Sequence, residues 1–197
     1  GHDKSRLIMH TDPGDPYGQD LVGMLRSLNV SPDSISLSTK KVDKMILSMM
    51  YNMSDCTLNI SDAEGFGLST FESLSCGTPI VVNMTGGLQE QVTDGENWFG
   101  VGIEPCSKAV IGSQDVPYIY EDRISKEDFL AALHKIHNMS KEERKSIGTA
   151  GREHVLKNYN YDDYCNKWVQ IIDNTCEKYG SWENRKNYQS WSFKKVS

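Results

Sequence analysis

The chain has 197 residues, room for one ordinary domain with a sizeable core. Its formal net charge of −6 argues against a nucleic-acid surface, and no apolar run is long enough for a transmembrane helix. Five cysteines, an odd count with no Cys-x-x-Cys spacing, read as reduced thiols of a cytosol-like compartment, which makes the expected location cytoplasmic.

Residues 1–6 carry no secretory pattern, and a buried strand is expected almost at once. Residues 6–10 predict a short central strand. Residues 11–18 form a Pro/Gly/Asp loop. Residues 19–28 are amphipathic, with Leu21, Met24, Leu25 and Leu28 on one helical face. Residues 34–38 alternate, with Ile35 and Leu37 on one face, and predict the next strand; 38–42 is its exit loop. Met45, Ile46, Met49, Met50 and Met53 make a helical stripe, read as core packing rather than a cofactor box.

Residues 54–87 organise the rest. Residues 56–60 are a short β-prone run. In Gly65-Phe66-Gly67 the glycines allow the backbone to approach a ligand closely. Leu68, Phe71 and Leu74 fall at helical spacing, Gly77 is placed to cap that helix, and Pro79 stops it. Ile80-Val81-Val82 is a buried strand. Strand, helix and strand make a β-α-β unit, which implies a parallel sheet.

The chemistry gathers at the turn. A helix that starts at a Gly-rich loop offers free N–H groups and the positive end of its dipole. Glu64 precedes the turn and Glu72 follows it, with seven residues between them. Ionised carboxylates only accept hydrogen bonds, so vicinal hydroxyls of a sugar or ribose beside a phosphate suit the pair; neither need act as an acid or base.

Further on, residues 86–92 read as a turn and short helix, and 98–103 as a strand. Residues 104–122 break the pattern as a long loop, either a flap beside the ligand site or an oligomer contact. Ser125 opens a helix to Asn138 with Phe129, Leu130, Leu133 and Ile136 inward. Ser140-Lys-Glu-Glu is a capping box for a helix to about Asn158. Tyr161, Tyr164, Cys165, Trp168, Val169 and Ile172 mark a third helix. Trp182, Tyr188, Trp191 and Phe193 then sit in a polar, basic tail, dense enough to suggest docking on another surface. His134 and His137 are three apart but lack a third ligand, so no metal site is assigned. Asn59-Ile-Ser and Asn83-Met-Thr are glycosylation sequons on expected buried strand ends, which argues against their use.

The run Ser61-Asp-Ala-Glu64-Gly-Phe-Gly-Leu, Glu72-Ser-Leu-Ser-Cys-Gly77-Thr-Pro-Ile-Val-Val, then Gly86-Gly87, Glu90 and Asp94-Gly95, resembles the retaining glycosyltransferases of family 4, whose signature is Glu-x7-Glu around Gly-Phe-Gly-Leu. The resemblance covers residues 5–180. It implies an α/β fold, a Rossmann-like parallel sheet flanked by helices. This would be the nucleotide-sugar-binding C-terminal half of a GT-B enzyme, with a helical C-terminal extension. Residues 1–160 would be the donor-binding domain, incomplete at its N-terminus. Residues 161–197 would be a crossing helix and tail that pack on a missing N-terminal domain.

By the same resemblance, Glu64 with Gly65, Phe66, Gly67 and Leu68 holds the donor sugar, Glu72 binds the ribose hydroxyls, and Glu64 takes the catalytic place. The exit loop after residue 38 packs on the nucleobase, making Thr39 and Val42 candidates there. Lys41 fits either the phosphates or a solvated pair with Lys40. His10, at the carboxyl end of its strand, is a candidate donor contact or a satisfied structural histidine. The implied reaction moves a sugar from a nucleoside diphosphate sugar to an acceptor hydroxyl of a glycan, lipid or protein, with retention. Family base rates lean to GDP-mannose. No Asp-x-Asp pair is present, so a metal-independent mechanism without a cofactor is expected. No nucleophile is assigned. Two departures stand out. Pro13-Gly14-Asp15-Pro16 replaces the usual Gly-rich loop, and the strand and helix that carry the diphosphate-gripping cations are not found. A non-catalytic sugar-nucleotide-binding module of the same fold is the alternative; the joint presence of Glu64, Glu72 and the glycines favours the enzyme, although this chain alone is expected to be inactive.

Overall fold

A computed structural model describes residues 5–16, 18–187 and 194–195. Its contacts divide the chain into two units, Gly1–Leu47 and Ser48–Ser197.

In the first unit β1 (Leu7–His10) and β2 (Ile35–Ser38) pair in parallel, Leu7 opposite Ile35 and His10 opposite Ser38. Between them lies α1 (Leu21–Ser27), capped by the Asp20 carboxylate, which accepts from the Gly23 N–H at 2.9 Å. β1 is not the buried central strand that its apolar run suggests. It has one partner strand, and Leu7 is 44% exposed. A two-stranded sheet and a seven-residue helix enclose too little volume to bury either fully.

Helix α2 (Lys44–Met53) runs across the boundary between the units. Its methionine stripe is a second correction: Met45, Met49 and Met53 are all exposed rather than core. Helical spacing identifies an apolar face but not what covers it.

The second unit is built on a parallel sheet in the order β3 (Thr57–Asn59), β4 (Ile80–Asn83), β5 (Gly100–Ile103). All four residues of the central β4 are buried, as a strand covered on both faces requires. Successive side chains point to opposite faces. Ile80 and Val82 pack with Leu74 of α3 (Leu68–Ser75), Leu88 and Val92 of α4 (Leu88–Val92), Phe99, and Val155 of α6 (Lys141–Asn158). Val81 faces the other way, with Val101, Ile103, and Ala132 and Ile136 of α5 (Lys126–Asn138). Each of these Val, Leu, Ile and Phe side chains contributes roughly 1.5–3 kcal/mol by leaving water.

Helix α3 has the expected span. It ends where Gly77, at φ +79°, sends its N–H to Leu74 O while the Thr78 N–H reaches Ser73 O, both 2.9–3.0 Å. The α5 cap at Ser125 and the reciprocal Ser140–Glu143 capping box of α6 are present. Within α5, Ala132 and Ile136 are buried, but Leu130 is 41% exposed rather than inward.

Residues 104–122 are not a loop. They hold most of an antiparallel hairpin, β6 (Ser107–Ile111) and β7 (Ile119–Arg123), with Val110 opposite Tyr120 and Ile111 opposite Ile119. Its connection is long and lacks the two-residue turn that announces a hairpin in sequence.

The last helix, α7 (Tyr161–Tyr179), starts at Asn160, whose side chain accepts from the Asp162 and Asp163 N–H groups. None of its residues is buried. Trp182 beyond it is exposed, with Arg185 stacked 3.9 Å from its ring centre. Tyr188, Trp191 and Phe193, singled out in the tail, lie outside the described residues. Among the described residues no helix is long and apolar enough to cross a membrane.

Candidate functional site

The site is assembled at the carboxyl ends of β3 and β4. β3 ends on Asn59, buried under the turn. Its Nδ2 donates to Glu64 Oε2 at 3.3 Å, and its Oδ1 accepts from the Ser61 N–H at 3.1 Å. One amide therefore closes the loop and orients the Glu64 carboxylate. Gly67 follows at φ +86°, a conformation that favours glycine, and a Cβ there would also strike Thr70 Oγ1 and Leu88. Gly67 is the N-cap of α3, and no side chain caps that end. The first N–H groups of α3 and the positive end of its dipole are left for a ligand.

A second glycine pair supports the turn from behind. A Cβ on Gly86 would run into the Glu64 carbonyl, and one on Gly87 would meet Gly65 O at 2.7 Å and Phe66 Cα at 2.9 Å. The Gly87 N–H donates to Gly65 O at 3.1 Å. The Phe66 ring packs on Phe71 and Tyr159, with centroids 5.3 and 5.9 Å away.

Glu72 stands exposed on α3. Tyr51 Oη donates to its Oε2 at 2.9 Å, and Tyr51 is itself held by Thr78 Oγ1, which donates to its carbonyl at 2.8 Å. Burial, and then the neighbouring Glu72 carboxylate, push the Tyr51 phenol well above its ordinary value, so it stays a donor. Each carboxylate oxygen has two lone pairs. With Tyr51 using one on Oε2, Glu72 keeps Oε1 and a lone pair on Oε2 for two adjacent hydroxyls.

The hairpin begins beside this loop. The Asp122 N–H donates to Asp62 O at 2.7 Å, Asn83 Nδ2 donates to Asp122 O at 2.7 Å and Ser61 O at 2.9 Å, and Thr85 Oγ1 donates to Asp122 Oδ2 at 2.8 Å. Arg123 pairs with Asp62 at 3.2 Å. Residues 107–123 are thus fastened to the ends of β3 and β4, next to the segment that carries Glu64.

The structure brings Glu64, Gly65, Phe66, Gly67, Leu68 and Glu72 together in the second unit. The Leu68 side chain is 69% exposed, so only its backbone belongs to the turn. His10, Thr39, Lys41 and Val42 lie in the first unit. There His10 Nδ1 is 2.9 Å from Ser38 Oγ, which satisfies it within its own strand pair. Among the described residues no three His, Cys, Asp or Glu side chains gather as a metal site.

Sequence reasoning missed Tyr51, Asn59 and Gln91. Two of them left a signal. Asn59 is a polar residue ending a buried strand, and Gln91 falls with Leu88 and Val92 at the inward i, i+3, i+4 positions of α4. Tyr51 left none, because its partner is 21 residues away.

This arrangement, a parallel sheet with helices on both faces, a carboxylate before an uncapped helix start and another within the helix, is the fold of one part of a GT-B glycosyltransferase. Sucrose-phosphate synthase from Thermosynechococcus elongatus aligns with a TM-score of 0.67 at 20% identity, over 88% of this chain and 39% of that one. Anabaena HepE, solved with UDP-glucose, aligns with a TM-score of 0.63 at 16% identity, over 86% of this chain and 41% of that one. The chain belongs to the family described as glycosyl transferases group 1, whose profile matches residues 36–154, more than half of its length. It is 37% identical over 86 residues to D-inositol 3-phosphate glycosyltransferase 2 of Catenulispora acidiphila, a stretch that is 42% of this chain and 20% of that relative. The D-inositol 3-phosphate glycosyltransferase of Thermomonospora curvata is 39% identical over 67 residues, 34% of this chain and 16% of that protein.

Proposed function

We propose that this chain is the donor-binding part of a retaining hexosyltransferase that takes its sugar from a nucleoside diphosphate sugar. The observation that carries the reading is the pair of oriented carboxylates. Glu64, just before the uncapped N-terminus of α3, is set by Asn59, and Glu72, within α3, by Tyr51. Glu72 accepts from the two ribose hydroxyls. Glu64 accepts from hydroxyls of the transferred sugar and is the group closest to the chemistry. The α3 dipole and the N–H groups of the turn stabilise charge on the departing diphosphate as the sugar becomes oxocarbenium-like. The family resemblance alone puts forward Thr39 and Val42 as nucleobase contacts, Lys41 as a phosphate contact or a solvated neighbour of Lys40, and His10 as a donor contact or a structural histidine. Metal-independent transfer is part of the same proposal. The acceptor-binding half lies outside this chain, and the exposed apolar stripe of α7 is the surface suited to meet it.

GDP-mannose is the donor put to the test, against the UDP-glucose bound in HepE and the ADP bound in Arabidopsis thaliana starch synthase IV. Calorimetric titration of the intact protein with the GDP, UDP and ADP series, repeated with Glu72→Ala, decides. One series should bind, and Glu72→Ala should weaken it by about 1.5–3 kcal/mol. Failure of every series overturns the reading. Binding with neither transfer nor donor hydrolysis would turn it into the non-catalytic module.

A further inference from the structure

The peptides of the Gly65–Gly67 turn are pinned from one side. Gly65 O accepts from the Gly87 N–H at 3.1 Å, and Phe66 O accepts from Gln91 Nε2 at 2.5 Å. Among the described residues no peptide bond is cis, and a trans peptide sends its C=O and N–H in opposite directions. With both carbonyls drawn toward the α4 segment, the N–H groups of Phe66 and Gly67 are turned away from it. Among the described residues neither N–H has an acceptor.

The first pin is backbone. The second is a side chain in a place that does not need a polar one. Gln91 is 1% exposed and sits between Leu88 and Val92, both fully buried. Burying an amide is unfavourable unless its hydrogen bonds are made. Here both ends are used: Nε2 on Phe66 O, and Oε1 accepting from Thr70 Oγ1 at 2.6 Å. Thr70 Oγ1 also lies 2.9 Å from Gly67 O, so the brace reaches the turn and the first turn of α3 together. An apolar residue would fill this space without that connection.

We propose that Gln91 is a positioning residue for the donor. By holding the Phe66 carbonyl it presents the Gly67 N–H to an acceptor oxygen at the diphosphate–sugar junction. The inference rests on the donor-site reading above and names the part of the ligand that this side chain serves.

The test uses Thr70→Val/Gln91→Leu, which removes the Thr70–Gln91 pair while nearly keeping its volume and takes the side-chain donors from the Phe66 and Gly67 carbonyls; thermal unfolding first establishes that the variant is folded at the temperature of titration. Gln91→Met, which keeps the side-chain length, is the second variant. Each is titrated with the nucleoside, the nucleoside diphosphate and the nucleoside diphosphate sugar of the series that the parent binds. We expect the nucleoside to bind within about twofold of the parent. The two phosphate-bearing ligands should bind roughly five- to tenfold more weakly, the size of one neutral hydrogen bond. In labelled protein the Gly67 amide resonance should move on adding the diphosphate to the parent, and move less in the variants. Equal weakening of all three ligands, or none, overturns the inference while the donor site stands. A parent that binds no nucleotide removes the donor reading, and this inference with it.

Discussion

Helix α3 has 8 residues and buries Thr70, Ser73 and Leu74; helix α7 has 19 and buries none. The contrast runs against intrinsic stability. An isolated helix of eight residues is not stable in water, whereas α7 has length, an Asn160 cap and acidic residues in its first turn. What places α3 is the sheet and helix against it, with Leu74 inside the cluster that joins β4, α4 and α6. The candidate site is therefore mounted on a helix that tertiary packing, rather than length, holds in place. The longest helix offers only an apolar stripe, with Tyr161, Trp168 and Ile172 all about half exposed or more.

The largest expected effect tests that contrast directly. Leu74→Ala should cost about 2–5 kcal/mol in urea or thermal unfolding, while Ile172→Ala, also a truncated aliphatic side chain, should stay within about 0.5 kcal/mol. Similar losses for both would break the comparison.

Next comes the support of Glu72. Tyr51→Phe removes one hydroxyl without disturbing packing. Nucleotide affinity should fall by about 1 kcal/mol, with most of the loss absent for the 2′-deoxy nucleotide, as titration of both ligands would show. An unchanged ribo-to-deoxy preference would mean that Tyr51 does not orient Glu72.

A smaller effect concerns pH. Asp94 is held down to about 2 by the Asn97 backbone and side-chain N–H groups and the Glu96 N–H, in the turn that follows α4. Its folded value lies below its unfolded one. Its contribution is therefore complete above about pH 4 and is lost as pH falls toward 2. Asp94→Asn should flatten acid unfolding curves in that window and lower stability at neutral pH, where the contribution is complete, while stability near pH 2 stays close to the parent's.

The smallest effect is one of rate. Burial pushes the Cys56 thiol up to about 11, and burial also raises Cys76 at the end of α3, with Glu72 adding to the rise and Arg152 opposing it. Cys176 on α7 is exposed. A thiol reagent at neutral pH should modify Cys176 before Cys56 and Cys76. Simultaneous modification would show that α3 opens as readily as α7 is reached.

The residue pattern alone determined the β-α-β unit, the span of α3, the glycine after it, and the caps at Ser125 and Ser140, because each depends on neighbours a few residues apart. The turn and helix that carry Glu64, the glycines and Glu72 were legible for the same reason: they form one continuous stretch. Tertiary structure decided the rest. The hairpin at 107–123 depends on pairing across a long connection. The methionine stripe of α2 and Leu130 of α5 depend on what lies opposite them. Tyr51, Asn83 and Gln91 act on partners 21, 22 or 39, and 25 residues away. A helical period shows which way a side chain points, but only the packed sheet shows what it meets.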